Sequence, residues 1–411
     1  MKLESAAVII GLDWADRTHV CCLYAPQAKR LQTVEVKAEP EAFGAWLDAV
    51  EQAHPGGQIV VAIERPDGAA VQMMRARARW VVVPVNPVVL HRFRQAFTPS
   101  GAKGDPGDAA LLGEIVRTHP EKFTPLPLPD ERLERLEALV RQRRHLVDMR
   151  TALVEQLSAV LKAYYPQALE LAGSSLSSPM ALELLERWPD LAVAKRARWS
   201  AVQRFYRRHH CGRDAVLKRR GELLKTARAV STADSYVAPL RLQMLSIVRQ
   251  MAAQNASLAQ FETAIAEAYA QAPGRDIIDS LPGLGEALGP RLWVACQQAG
   301  ARTTSSDLAL KSGVAPVQQR SGEGLNRVLF RRSRPRFLHQ TWVEFAKHSV
   351  AKCTWAAEYC AQREKKGHGK NAIHRALAFK WTRIVARCWR DRVHYDETLY
   401  LHQRTARLAA A

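Results

Sequence analysis

Over the first third of the chain, short apolar runs alternate with segments whose apolar residues recur every three or four positions. Residues 7–12, 19–24 and 33–37 are β-branched or alternating and lie close together, which predicts three strands in a meander. Residues 40–52 place Phe43, Trp46, Leu47 and Val50 on one helical face. A second apolar strand is predicted at 58–63, a helix at 68–77, and a third buried strand at 80–85 that Pro84 and Pro87 bring to an end. A helix at 105–119 carries Ala109, Leu112, Ile115 and Val116 on one side. Antiparallel strands followed by alternating helices and strands give a mixed α/β sheet rather than a uniform βαβ repeat.

Pro125, Pro127 and Pro129 form a stiff linker. Beyond it, 130–165 reads as one long helix. Its heptad frame has Leu133, Val140, Val147, Val154 and Leu161 at a, with Leu136, Arg143, Arg150, Leu157 and Tyr164 at d. The wide apolar face, with Leu139, Leu146, Leu153 and Val160 alongside, suits a coiled coil or small bundle. Pro166 stops it. A polar, basic, helical insert occupies about 166–234, and a second heptad helix covers 240–270, with Met244, Met251, Leu258 and Ile265 at a and Ile247, Gln254, Phe261 and Ala268 at d. The two long helices can form an antiparallel pair or a dimerising stalk, and both pairings remain open at this point. Ala272-Pro273-Gly274 opens a mostly helical last unit. The expected organisation is therefore an α/β domain at 1–125, a coiled-coil region with its insert at 126–275, and an all-α domain at 276–411.

Composition narrows the classes of partner. Sixty Lys or Arg against 40 Asp or Glu give a formal charge of +20 and a pI near 10.0, whereas 47% hydrophobic residues suffice for a packed core and exclude a disordered polyelectrolyte. No run reaches the roughly 18–20 uncharged apolar residues that span a bilayer. Met1-Lys2-Leu3-Glu4 lacks the shape of a secretory signal. Seven cysteines without a C-x-x-C argue against a disulfide scaffold or structural zinc and for a reducing cytoplasm. The charge is concentrated in two places. Residues 190–229 hold twelve Lys or Arg against three acids. The last unit carries Arg327, Arg331, Arg332, Arg334 and Arg336 with no acid among them, then ten Lys or Arg over 363–392. Basic groups interleaved with aromatics suit nucleic-acid backbones and unstacked bases, although core packing is the expected role of Trp381 and Trp389.

Acids gather in the first domain. Asp13 and Glu64 each end an apolar strand, where open α/β sheets place their sites. Asp105 and Asp108 are three apart at a helix start, hence on one face and favoured by the helix dipole. Each acid alone is ordinary as a cap or turn residue, as Asp16 and Asp67 are. Four converging acids need a counter-cation, and Mg2+, a hard ion with oxygen ligands, is the natural one. Two such ions can activate a nucleophile and stabilise the leaving oxygen of a phosphodiester.

The segments Gly11-Leu12-Asp13-Trp14-Ala15, Ile63-Glu64 and 100–109, with Lys103, Asp105, Asp108 and Ala109 in a K-x-D-x-x-D-A element, closely resemble the DEDD transposases of bacterial insertion sequences. The resemblance implies a RuvC-like domain of the RNase H fold in which Asp13, Glu64, Asp105 and Asp108 form a metal-binding tetrad. It extends over nearly the whole chain apart from the basic insert. Leu281-Pro282-Gly283-Leu284-Gly285 resembles the hairpin of a helix-hairpin-helix, whose Gly283 and Gly285 would let backbone N–H groups approach a phosphate. The alternative for this segment is a plain glycine-rich helix connection. By pattern alone Ser321 is a loop serine. The family carries an x-G-x-x-P-x-x-x-x-S-G pattern, here Gly313, Pro316, Ser321 and Gly322, before a basic stretch. Carried over, Ser321 is the nucleophile, with Ser312 a weaker competitor.

The implied function is a DNA transposase or recombinase that mobilises an insertion sequence through a covalent phosphoserine intermediate. Such a linkage conserves bond energy for rejoining, which suits a recombinase better than a hydrolase. Double-stranded donor and target DNA, a structured non-coding bridge RNA, and a homo-oligomer (a dimer or dimer of dimers) are the implied partners. Lys103, Gly283, Gly285, Arg320, Arg327, Arg331, Arg332, Arg334 and Arg336 are the candidate nucleic-acid contacts. The expected location is the bacterial cytoplasm, on the nucleoid when active. A site composed of acids and serine from different protomers is compatible with the heptad helices. The alternatives are a RuvC-like nuclease using the tetrad alone, a related site-specific DNA invertase, and a nonenzymatic nucleic-acid-binding protein.

Overall fold

A computed structural model describes residues 5–26, 30–97, 105–321, 325–332 and 334–402. Lys103 lies outside the described residues, as do the side chains of Asp105, Arg320, Ser321 and Arg327. The chain divides into two compact units, Met1–Asp130 and Glu131–Ala411.

The first unit is built on β1 (Ala6–Asp13), β2 (Thr18–Tyr24) and β3 (Arg30–Lys37), followed by α1 (Pro40–Ala53), β4 (Gln58–Ile63), α2 (Ala69–Arg75), β5 (Trp80–Pro84), α3 (Pro87–Phe97) and α4 (Asp105–Thr118). The sheet order is β3-β2-β1-β4-β5, with β1 antiparallel to β2 and parallel to β4, and β4 parallel to β5. Burial of β1 and β4 on both faces explains their unbroken apolar runs. One face, with Val8, Ile10 and Leu12, packs on Phe43 and Leu47 of α1 and Val71 and Met74 of α2. The opposite face, with Ile9, Val60 and Ala62, packs on Leu90 of α3 and Ala109, Leu112 and Val116 of α4.

Helix α3 was not expected from the sequence. Pro84 and Pro87 read as the end of a strand, but Pro87 stands at the first helical position, where a missing N–H costs nothing. The Asn86 side chain caps the turn by accepting the Val88 N–H at 2.8 Å.

The second unit opens with α5 (Glu131–Tyr164). Five short helices follow, α6 (Gln167–Leu171), α7 (Pro179–Arg187), α8 (Leu191–Arg196), α9 (Trp199–Arg208) and α10 (Asp214–Thr226), and then α11 (Asp234–Ala270). Helix α11 starts six residues before the heptad pattern does. It accommodates Pro239 in its second turn, where the ring removes one intrahelical N–H. The two long helices form an antiparallel pair within the chain. Leu136 and Val140 pack near Ile265 and Tyr269, whereas Leu157 and Leu161 share a core with Met244 and Val248. The arginines at d are answered across this seam. Arg143 Nε donates to Glu262 Oε1 at 3.2 Å, and Arg150 Nη1 donates to Asn255 Oδ1 at 3.1 Å. The heptad faces are therefore filled in part from inside the chain, most fully toward the two ends of the pair, whereas Leu146, Val147, Leu153 and Val154 are half-buried. The insert helices close over one end of the pair through Trp188, Phe205 and Tyr206.

The rest of the unit comprises α12 (Arg275–Asp279), α13 (Gly285–Ala299), α14 (Ser305–Lys311), a hairpin of β6 (Val317–Ser321) and β7 (Leu325–Leu329), then α15 (Arg336–Ser349), α16 (Thr354–Lys365) and α17 (Lys370–Asp391). Its core is rich in tryptophan: Trp293, Trp342, Trp355, Trp381 and Trp389 are fully buried. All seven cysteines are free. Among the described residues no helix is long and apolar enough to cross a membrane.

Candidate active site

The acids are positioned by the sheet. In the parallel pairing of β1 with β4, Leu12 faces Ile63, so Asp13 and Glu64 follow side by side at the carboxyl ends of neighbouring strands. Alternation along a strand sends residues 9, 11 and 13 to one face, with 60, 62 and 64 likewise. That is the face covered by α4.

Helix α4 approaches β1 almost backbone to backbone. A Cβ on Gly11 would collide with the Ala109 carbonyl oxygen and the Gly113 nitrogen, and one on Gly113 would lie 2.6 Å from the Tyr24 ring. The Tyr24 hydroxyl fastens the helix by donating to the Ala110 carbonyl at 2.9 Å. With the helix held this close, its first turn reaches the strand ends. Asp13, Glu64 and Asp108 line one cavity of about 410 Å³, together with Trp14, His91 and Arg94.

Asp108 is 7% exposed and is matched by a guanidinium. Arg94 Nε and Nη2 reach its Oδ1 at 2.8 and 2.6 Å. Burying a carboxylate demands such a partner. Nearby, His19 is buried against Phe43, its Nδ1 accepts the Ala15 N–H at 3.2 Å, and burial lowers its pKa. This bond fixes the turn that follows Asp13. Among the described residues no three His, Cys, Asp or Glu stand close enough together to hold an ion. The donors facing the cavity are mainly carboxylate oxygens, the set that suits a hard divalent cation.

In the second unit, Ser321 ends β6 opposite Leu325, and Arg320 and Arg327 stand in register with Asn326 and Gln319. Arg331 Nε donates to the Ala315 carbonyl at 3.3 Å. Arg334 Nη1 donates to the carbonyls of Arg331 and Arg332 at 3.0 and 3.1 Å. Arg332 and Arg336 are exposed. Ser312 is 1% exposed at the end of α14. In the segment between α12 and α13, Gly283 has φ +82°, and a Cβ there would stand 2.7 Å from the His348 carbonyl oxygen. Packing against α15 therefore explains Gly283. Gly285 has φ +60° with open space on its Cβ side.

A family model described as a DEDD transposase of the IS110 type matches residues 10–166, and one described as a transposase of the IS116/IS110/IS902 family matches 275–361. Together they cover more than half of the chain. The chain belongs to the IS110-type DEDD transposases. A protein of Streptomyces coelicolor named as a mini-circle transposase for IS117 is 27% identical over 96% of both chains. A 42 kDa protein of insertion element IS900 from Mycobacterium paratuberculosis is 26% identical, over 76% of this chain and 78% of its own. The protein is thus a DNA transposase whose first unit has the RNase H-like fold.

Sequence reasoning passed over two residues of the transposase's acidic cavity, His91 and Arg94, because it did not place a helix at 87–97. The Asn86-Pro87 capping pair followed by Leu90, Phe93 and Phe97 was the available signal.

Proposed function

We propose that this transposase cuts and rejoins DNA using Asp13, Glu64, Asp105 and Asp108 as a metal-holding tetrad and Ser321 as the nucleophile. The observation that carries the reading is the adjacency of Asp13 and Glu64 at the ends of parallel strands, with Asp108 facing the same cavity. The position of Asp105, one helical turn before Asp108, agrees with it. The cation proposed is Mg2+, two ions per site. When bound, it would supply positive charge that offsets the negative charge developing on a phosphodiester under attack.

The chain's own groups account for the rest. The Ser321 oxygen forms a bond to phosphorus, one P–O bond of the DNA backbone breaks, and the proton lost by the serine is matched by one gained by the departing sugar oxygen. Reversal with a new sugar hydroxyl rejoins the strand. Lys103, Arg320, Arg327, Arg331, Arg332, Arg334 and Arg336, with the backbone at Gly283 and Gly285, are proposed to hold phosphates. In this scheme residues 1–125 supply the acids, 126–275 a stalk and basic insert, and 276–411 the serine. A structured guide RNA would select donor and target by base pairing, leaving the homo-oligomeric protein to hold backbone and shape. The family resemblance and the +20 charge support that part.

The test is strand exchange by protein purified with its bound RNA. Asp13→Ala and Glu64→Ala should each abolish both cutting and joining while leaving DNA and RNA binding intact. Cutting that persists in both variants contradicts the tetrad. Protein that purifies free of RNA yet recombines fully contradicts guidance. The principal rival, a nuclease using the tetrad alone, expects Ser321→Ala to keep cutting and lose nothing but joining.

A further inference from the structure

The base of the β6–β7 hairpin, where Val317 pairs with Leu329, borders a cavity of about 700 Å³ that also touches α15, α16 and α17. No carboxylate lines it. Arg331, Arg363, Arg375 and Arg383 do, and none of the four forms a salt bridge with a described residue. So many cations held together without an acid repel one another, a standing cost that a polyanion would relieve.

Aromatic faces alternate with these cations. Phe330 is 42% exposed and lies under Arg334 at 4.1 Å and Arg375 at 4.7 Å from its centroid. Tyr359 lies under Lys380 at 4.5 Å, and Phe379 under Arg383 at 5.2 Å. Two polar atoms at this wall are buried without a partner, Nε2 of His339 and Nε of Arg334. Burial, reinforced by Arg334 and Arg375, pushes the His339 pKa down to about 4, so the imidazole is neutral near pH 7 and the positive field belongs to the arginines.

From this arrangement we infer that the cavity is a pocket for an unstacked nucleotide, its base against Phe330 and its phosphate among Arg331, Arg375 and Arg383. Aromatic platforms between cations take single-stranded nucleic acid because every base has a π face and every linkage a charge. A duplex keeps its bases stacked and cannot offer one to a recess of this size. The inference rests on the reading that this unit handles nucleic acid around Ser321. Four residues of strand separate that serine from the hairpin base, about 13 Å, or roughly four stacked nucleotide steps. A strand with a phosphate at Ser321 would thus reach the pocket within a few nucleotides, and the pocket would select DNA opened beside the cut.

The experiment is fluorescence anisotropy of the full chain with labelled oligo(dT), oligo(rU), and a DNA duplex of equal length, across a salt series. Phe330→Ala should weaken oligonucleotide binding roughly tenfold and leave duplex binding unchanged, whereas Phe330→Trp retains the wild-type preference. Arg375→Ala combined with Arg383→Ala should reduce the salt slope for oligo(dT) by about 1.4, near 0.7 for each lost phosphate contact. Tighter binding of oligo(dT) or of oligo(rU) identifies the nucleic acid that supplies the nucleotide. Equal losses for oligonucleotide and duplex in Phe330→Ala, no loss at all, or an unchanged slope in the arginine pair would overturn the inference. Thermal melts of each variant check folding, which an exposed phenylalanine does not control. Ser321→Ala should bind all three probes as wild type does, so failure of the serine chemistry and failure of the pocket read out separately.

Discussion

At the scale of single residues, the pairing of Arg94 with Asp108 sets the energetics of the acidic cavity. Asp108 is nearly enclosed, and Arg94 is the positive charge that makes its burial tolerable. Removing one partner of such a pair leaves an uncompensated charge, at a cost of about 3–5 kcal/mol. A divalent cation on the same carboxylate would make up that loss by binding only the folded state. Arg94→Ala is therefore expected to lower the melting temperature in chelator and to recover much of the loss in millimolar Mg2+, with the wild type gaining less. Calorimetric melts with and without Mg2+ check this. Equal Mg2+ responses in variant and wild type would separate Arg94 from the metal site. The sequence disclosed the acids because strand ends and helix starts are marked by hydrophobic pattern. It hid Arg94, since only a folded helix α3 brings that residue to Asp108, fourteen positions away.

At the scale of elements, α4 against β1 is the joint that assembles the site. Gly11 in the strand and Gly113 in the helix permit a contact that no side chain fits. Gly11→Ala must push the helix outward, carrying Asp108 away from Asp13 and Glu64. The expected outcome is destabilisation at the upper end of the roughly 1–3 kcal/mol typical of overpacking, with loss of strand cutting beyond what the stability change explains. Chemical denaturation and a cleavage assay at a temperature where the variant is folded measure the two separately. A variant that cuts normally would show that α4 need not sit this close. A glycine inside an apolar strand is a readable sign of close backbone approach, but which helix approaches is a tertiary fact. The β6–β7 hairpin was hidden for another reason. Val317-Gln318-Gln319-Arg320-Ser321 is short and polar, without the alternation that marks a half-buried strand. The two heptad helices were legible apart from the first six residues of α11, which precede the apolar frame. Their antiparallel pairing was not, because the apolar frame is the same whether the partner is intramolecular or a second copy.

At the scale of the whole molecule, the +20 charge divides into chemically distinct settings. In the first unit a cavity lined by Asp13, Glu64 and Asp108 spends one arginine on neutralising Asp108. In the second unit, arginines and Lys380 stand over aromatic rings around a recess without acids. Such a distribution suits a protein that holds phosphates in a recess without acids and gathers three carboxylates in a separate cavity. The proposed chemistry turns on a covalent bond between Ser321 and the DNA it cuts. The direct measurement is to trap the transposase, with any RNA that copurifies and with Mg2+ added, on a nicked donor substrate whose cleaved end diffuses away, then to denature it and map the adduct by peptide mass spectrometry. The expected product is a nucleotide joined through phosphate to Ser321, absent from Ser321→Ala and absent when the metal is chelated. DNA cut in full with no protein-linked product, or an adduct on any other residue, would contradict it.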